Sequence, residues 1–129
     1  MTAANEIQVG GTHYRTPFQH WDLAAELRLG YFEGQVSKYV TRHRIKKGLE
    51  DAQKAGHFTQ KMIELNAAGA LLPQHKFITA GRLAEYVEAN RLTPQEHRVL
   101  NTLLCWGHAP DLRLLADQIA VLIKEVYSC

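Results

Sequence analysis

Two cysteines in 129 residues, Cys105 and Cys129, are too few for a disulfide framework, and neither has a neighbour at zinc-ligand spacing. Cys105 sits in the apolar LLCW run and reads as a buried apolar side chain, and Cys129 as a loose terminal thiol, a usage that suits a reducing compartment. The seven histidines are scattered, and Cys105-x-x-His108 is the nearest thing to a ligand pair, so no metal site and no Cys-His nucleophile is expected. No run approaches the roughly 18 uninterrupted apolar residues of a membrane-spanning helix. The first 20 residues lack the charged-then-apolar pattern of a signal peptide, so the chain is expected to stay in the cytoplasm where it is made. Charge of one sign is scarce too. A formal net charge of +2 argues against a large nonspecific footprint on nucleic acid, and no DNA-docking motif is visible. A Gly-x-x-x-x-Gly-Lys-[Ser/Thr] phosphate loop is missing, as are internal repeats and low-complexity tracts.

With 46% hydrophobic residues, the chain has the composition of one ordinary globular domain spanning 1–129, large enough to bury a core without a metal or a disulfide. Residues 1–19 carry Gly10, Gly11, Thr16 and Pro17 with little periodicity and predict an irregular arm. Helix formers from Trp21 to Leu29, stopped by Gly30, predict a short first helix. Phe32, Val36, Tyr39, Val40 and His43 recur at helical spacing and predict a second helix over about 32–47, closed by Gly48. A third follows over about 49–68, and so short a turn requires the pair to pack antiparallel. Residues 66–78, with Gly69 and Pro73, read as a connector. A fourth helix is predicted over about 80–90, opened by Thr79. A fifth starts at Thr93-Pro94-Gln95-Glu96, where an N-cap threonine, a first-position proline and a glutamate three residues after the cap form a capping box. In the sixth, over about 110–127, Leu112, Leu115, Ala116, Ile119, Leu122, Ile123 and Val126 form one apolar seam. That seam suits the protein's own core or a helix-to-helix homo-oligomer. The expected fold is thus all-α, a small bundle of about six helices with an irregular N-terminal arm, the C-terminal helices forming an extension over 79–127.

Chemistry is expected where charge concentrates. Lys38, Arg42, Arg44, Lys46 and Lys47 follow one another with no intervening acid, so the run repels itself unless something anionic lies nearby. Lys38 and Arg42 share a helix face, as do Lys54, His57 and Lys61 on the next helix, and two basic stripes on antiparallel neighbours can converge. Arginine supplies a planar bidentate fork and lysine a point charge, a combination suited to phosphate oxygens. The competing reading pairs these cations with Glu50, Asp51 and Glu64 on a solvated surface. A second cluster, His13, Tyr14, Gln19, His20, Trp21 and Asp22, is aromatic and polar in an irregular stretch. Tyr14 or Trp21 could stack a base while Gln19 or Asp22 reads its edge. Alternatively Trp21 and Phe18 plug the end of the bundle and Asp22 is a first-turn acid.

These residues carry a family resemblance. The Gly10-Gly11 and His13-Tyr14 pairs, Gln19-x-Trp21-Asp22, Gly34 with Lys38-Tyr39 and Arg42, and Glu50-Asp51-x-x-Lys54-Ala55-x-His57 resemble a family of small phage-encoded proteins of unknown function, some described as phage nucleotide kinases. The likeness covers about residues 8–65, with departures at Gln35 for asparagine, Ala52 for a larger apolar residue and Phe58 for tyrosine. It implies a helical fold, a phage origin, a place in the host cytoplasm and nucleotide phosphoryl transfer. In a transferase, Lys38, Arg42, Lys54 and His57 would stabilise the transferring group, while Asp22, Glu50 or Asp51 would hold Mg²⁺. As a non-catalytic binder, the same pocket would sequester a nucleotide signal. A third option, inhibition of a host protein, would use the apolar C-terminal helices. The expected ligand site therefore comprises His13, Tyr14, Trp21, Asp22, Lys38, Arg42, Lys54 and His57, with a nucleotide or another phosphorylated small molecule as partner.

Overall fold

The computed structural model describes residues 16–74 and 76–128. His13, Tyr14 and the Gly10-Gly11 pair of the N-terminal arm, together with Cys129, lie outside them. The described residues form six α-helices, a single 3-10 turn and no strand, so the fold is all-α. The helices are α1 (His20–Leu27), α2 (Tyr31–Arg42), α3 (Leu49–Ala67), α4 (Ala80–Ala89), α5 (Pro94–Cys105) and α6 (Ala109–Tyr127), with the 3-10 turn at His43–Ile45 after α2. Among the described residues no helix is long and apolar enough to cross a membrane.

Each helix boundary has a local cause. The first helix ends earlier than its composition suggests, because Arg28, not Gly30, takes the left-handed conformation (φ 52°). The N–H groups of Arg28 and Leu29 then turn back onto the carbonyls of Ala25 and Ala24, a Schellman closure, and Gly30 becomes the N-cap of α2. Gly48, at φ 56°, makes the turn between α2 and α3, a backbone shape that costs a residue with a Cβ much more. The Thr93 capping box forms as its spacing predicts: the Thr93 hydroxyl accepts from the Glu96 N–H, and the Glu96 carboxylate accepts from the Thr93 N–H.

Four helices close a ring: α2 packs on α3, α3 on α6, α6 on α5 and α5 back on α2, while α1 flanks α2 and α4 flanks α5. The small residues of α3 bring it close to α6, and a Cβ added at Gly56 would stand 3.6 Å from Ile119. The core runs through Val36, Ala52, Ala55, Met62, Leu100, Leu103 and the α6 seam. Within that seam Leu112, Leu115, Ile119 and Leu122 are buried against the chain's own helices, so the core is what the seam serves; Val126, at its end, is exposed. Phe18 is buried edge-on against Tyr86, but Trp21 is 52% exposed and is not a core residue. Cys105 is exposed, contrary to the burial its apolar run suggests, because the helix turns Leu103, Leu104 and Trp106 inward instead.

The connector between α3 and α4 is docked. Gln74 accepts a hydrogen bond from the Gly30 N–H at 2.9 Å, and the Lys76 side chain, 2% exposed, pairs with the buried carboxylate of Glu33. The indole N–H of Trp106 donates to the same Glu33 oxygen at 2.8 Å.

Candidate functional site

The antiparallel α2–α3 pair sets the site. On α2, Tyr31, Gln35, Lys38 and Arg42 fall at offsets of 0, 4, 7 and 11 and therefore share one face, beside Tyr39. On α3, Lys54 and Phe58 are one turn apart and point to the same neighbour. Both helices meet at the ring of Tyr39, which is 9% exposed. The Lys38 ammonium stands 4.7 Å from its centre, the Arg42 guanidinium carbon 4.8 Å and the Lys54 ammonium 5.4 Å. Phe58 stacks nearly parallel to it, with centroids 6.0 Å apart. The electron-rich face of an aromatic ring attracts cations, which offsets part of the repulsion among the three heads.

That offset leaves positive charge over. Arg42 has a counter-ion: its Nε donates to Asp51 at 3.2 Å, and the buried Asp51 carboxylate also accepts from the Lys47 backbone N–H. Lys38 and Lys54 have no carboxylate within ion-pair reach among the described residues. The field of Lys38 and Arg42 extends to α1, where the ring of His20 packs against α2 with Nε2 2.7 Å from the Ser37 hydroxyl. Since that hydroxyl donates to the Glu33 carbonyl, His20 Nε2 carries the proton and donates to Ser37. Burial, then the charges of Lys38 and Arg42, lower the His20 pKa to about 4, so the ring is neutral at physiological pH.

The other basic residues divide. Arg44 points away from this face and pairs with Glu96 on α5, and exposed Lys47 lies 3.8 Å from Glu50. The basic run is therefore partly neutralised, by Asp51 as its spacing suggests and by Glu96, which its spacing cannot reveal. His57 is exposed and is not among the groups around Tyr39. Asp22 is engaged at the start of α1, where its carboxylate accepts from the Gln19 N–H at 2.9 Å; it is the first-turn acid of that helix. Trp21 lies exposed on α1 beside His20 in sequence, and Tyr14 and His13 fall outside the described residues. Of the expected ligand set, the fold thus brings together Lys38, Arg42 and Lys54. It adds Tyr39, Phe58, Ser37 and His20. Tyr39 and Phe58 count as core residues in an apolar-stripe reading, yet the Lys54-x-x-x-Phe58 spacing carries a signal for their role.

Among the described residues no three His, Cys, Asp or Glu side chains stand close enough together to hold a metal ion. Chemically, the α2–α3 face offers three donors of positive charge, one buried carboxylate that fixes one of them, and flat apolar rings alongside. Such a face can hold a multiply charged anion bearing an aromatic group. A depression of ≈ 360 Å³ lies between α5 and α6, away from this face, and is lined by His97, Arg98, Asn101, Thr102 and Gln118. No family model, no curated protein and no solved structure matches the chain.

Proposed function

We propose that the α2–α3 face binds the phosphate groups of a small molecule, with Lys38, Lys54 and Arg42 as its contacts. A single observation carries the reading: Lys38 and Lys54 meet at one ring with no carboxylate partner among the described residues, an arrangement that stores repulsion until an anion arrives. Charge-assisted hydrogen bonds to phosphate oxygens relieve it. Taken with the resemblance of residues 8–65 to the phage family, the ligand is a nucleotide and the place of action the cytoplasm of an infected host.

Binding without turnover is the form of this proposal that the carboxylates favour. Asp22 is engaged by the backbone of α1, and Asp51 by Arg42 and the Lys47 N–H, so two of the three acids suited to Mg²⁺ are already committed. Glu50 is exposed beside Lys47. A phosphoryl transferase would need a carboxylate to leave its partner or to come from elsewhere.

A thermal-shift panel of nucleoside mono-, di- and triphosphates and cyclic dinucleotides, with and without Mg²⁺, tests the proposal. A ligand at a hundred times its Kd stabilises by about 2.7 kcal/mol. Lys38→Ala and Lys54→Ala should each cost about 1.5–3 kcal/mol of binding while leaving stability within about 0.5 kcal/mol, because neither lysine anchors an ion pair. A flat panel, or full affinity in the Lys38→Ala, Lys54→Ala double variant, overturns the reading. Chromatography of the bound nucleotide after incubation with Mg²⁺ and a phosphoryl donor then separates sequestration from transfer.

A further inference from the structure

We infer that Tyr31 is the platform on which the base of the ligand stacks, and that the site is matched to nucleotides carrying two or more phosphates. The inference rests on the reading of Lys38, Arg42 and Lys54 as phosphate contacts. Tyr31 is the first residue of α2 and is 65% exposed, yet its ring is not loose. It meets Phe32 in a T-shaped contact at 5.2 Å and Phe58 in another at 5.9 Å, which fix the plane of the ring while leaving most of the residue open. Single exposed apolar side chains are ordinary on protein surfaces. This one belongs to a row instead: Tyr31 touches Phe58, Phe58 stacks on Tyr39, and Tyr39 carries the cations.

Helix geometry sets the spacing along that row. Tyr31 and Lys38 share a face two turns apart, about 10 Å along the axis, with Arg42 a further turn on. Lys54 lies one turn, about 6 Å, from Phe58 on the opposing helix. A base stacked on Tyr31 therefore sits at one end of the face and the cationic heads at the other. Its phosphate chain, joined through the sugar, runs toward that other end, so each added phosphate brings negative charge nearer the heads. Between the two ends Gln35 presents an uncharged amide on the same face. Stacking on a flat ring tolerates every base, so the site is expected to select for phosphate number rather than for base identity.

Calorimetric titration of the full chain with a nucleoside monophosphate, the matching triphosphate and inorganic tripolyphosphate separates the elements of this inference. Tyr31→Ala should weaken triphosphate binding by about tenfold or more, the effect of losing one stacked base, and leave tripolyphosphate within about twofold. Tyr31→Trp should retain affinity and Tyr31→Leu, apolar but without a π-face, should not. The monophosphate should bind at least about tenfold more weakly than the triphosphate. Unchanged triphosphate affinity in Tyr31→Ala, equal losses for triphosphate and tripolyphosphate, or a monophosphate that binds as tightly as the triphosphate overturns the inference. If tripolyphosphate fails to bind the wild-type chain while the nucleotide binds, the cation reading of the site fails instead; if neither binds, both readings fall.

Discussion

Arg44 closes a two-pronged contact on Glu96, its Nε and Nη2 each 2.8 Å from a carboxylate oxygen. From the buried side, Nε2 of His43 meets the same carboxylate, and the other His43 nitrogen meets the hydroxyl of Tyr127. Glu96 is also the third residue of α5, where it accepts from the Thr93 N–H at 2.8 Å. One 1%-exposed carboxylate thereby ties the 3-10 turn after α2 to the start of α5 and, through His43, to the end of α6.

Replacing Glu96 should be costly. Glu96→Ala removes the cap and the carboxylate that His43 and Arg44 share, leaving Arg44 only the Arg91 carbonyl, a loss of about 3–5 kcal/mol by analogy with other broken buried ion pairs. Burial opposes ionisation of this carboxyl, but hydrogen bonds from His43, Arg44 and Thr93 outweigh it and hold the pKa at about 2. A depressed carboxyl pKa stabilises the fold above its ordinary value of 4.5, and that contribution is lost as pH falls from there toward 2. Urea unfolding at neutral and acid pH measures both effects; a Glu96→Ala cost under about 1 kcal/mol would show the network to be structurally idle.

His20 should make the fold sensitive to mild acid. Its folded pKa of about 4 lies below the ordinary 6.5, so the unfolded chain binds the extra proton first. Stability from this residue is complete above about 6.5 and declines as pH falls toward 4, by on the order of 3 kcal/mol across the window. His20→Asn should flatten that slope. A phosphate seated beside Lys38 and Arg42 would offset the charges that lower the pKa, so NMR titration of the His20 ring should show it rising on ligand binding. A pKa that stays at about 4 in a saturated complex would place the ligand away from this ring.

Lys76 should prove as important as a core residue. Its 2%-exposed side chain is the ionic partner of Glu33, whose carboxylate otherwise accepts from the Trp106 N–H. Lys76→Ala should destabilise by about 3–5 kcal/mol, and pairing it with Glu33→Leu should recover much of the loss, since apolar replacement of a buried pair is often neutral. Thermal or urea melts of the single and double variants decide the matter; simple additivity would mean the two side chains act independently.

Gln118 offers the opposite outcome. Its buried Oε1, at the depression between α5 and α6, has no hydrogen-bond partner among the described residues. An unsatisfied buried acceptor costs about 1–3 kcal/mol, so Gln118→Leu should be neutral or stabilising. A marked fall in the melting temperature would mean that the amide is satisfied by a group bound in that depression.

What could be read from the chain alone follows from the local reach of the forces involved. Helix periodicity places Val36, Val40, Leu115 and Ile119 inward whatever they meet, and all four are buried. The Thr93–Glu96 cap joins residues three apart, so spacing reveals it. The shared face of Lys38 and Arg42 is legible for the same reason, and a short turn makes the approach of Lys54 expected. The end of α1 escapes because Arg28 adopts a shape usually left to glycine or asparagine, and the exposure of Cys105 because neighbouring apolar residues compete for the same core. Only the packed chain decides which charges meet. Arg44 finds Glu96 across 52 positions and Lys76 finds Glu33 across 43, while nothing comes to neutralise Lys38 and Lys54 among the described residues. Periodicity specifies which side of a helix is buried; the partner on the far side is set by how the helices cross, and it is that crossing which gathers Lys38, Arg42 and Lys54 around Tyr39.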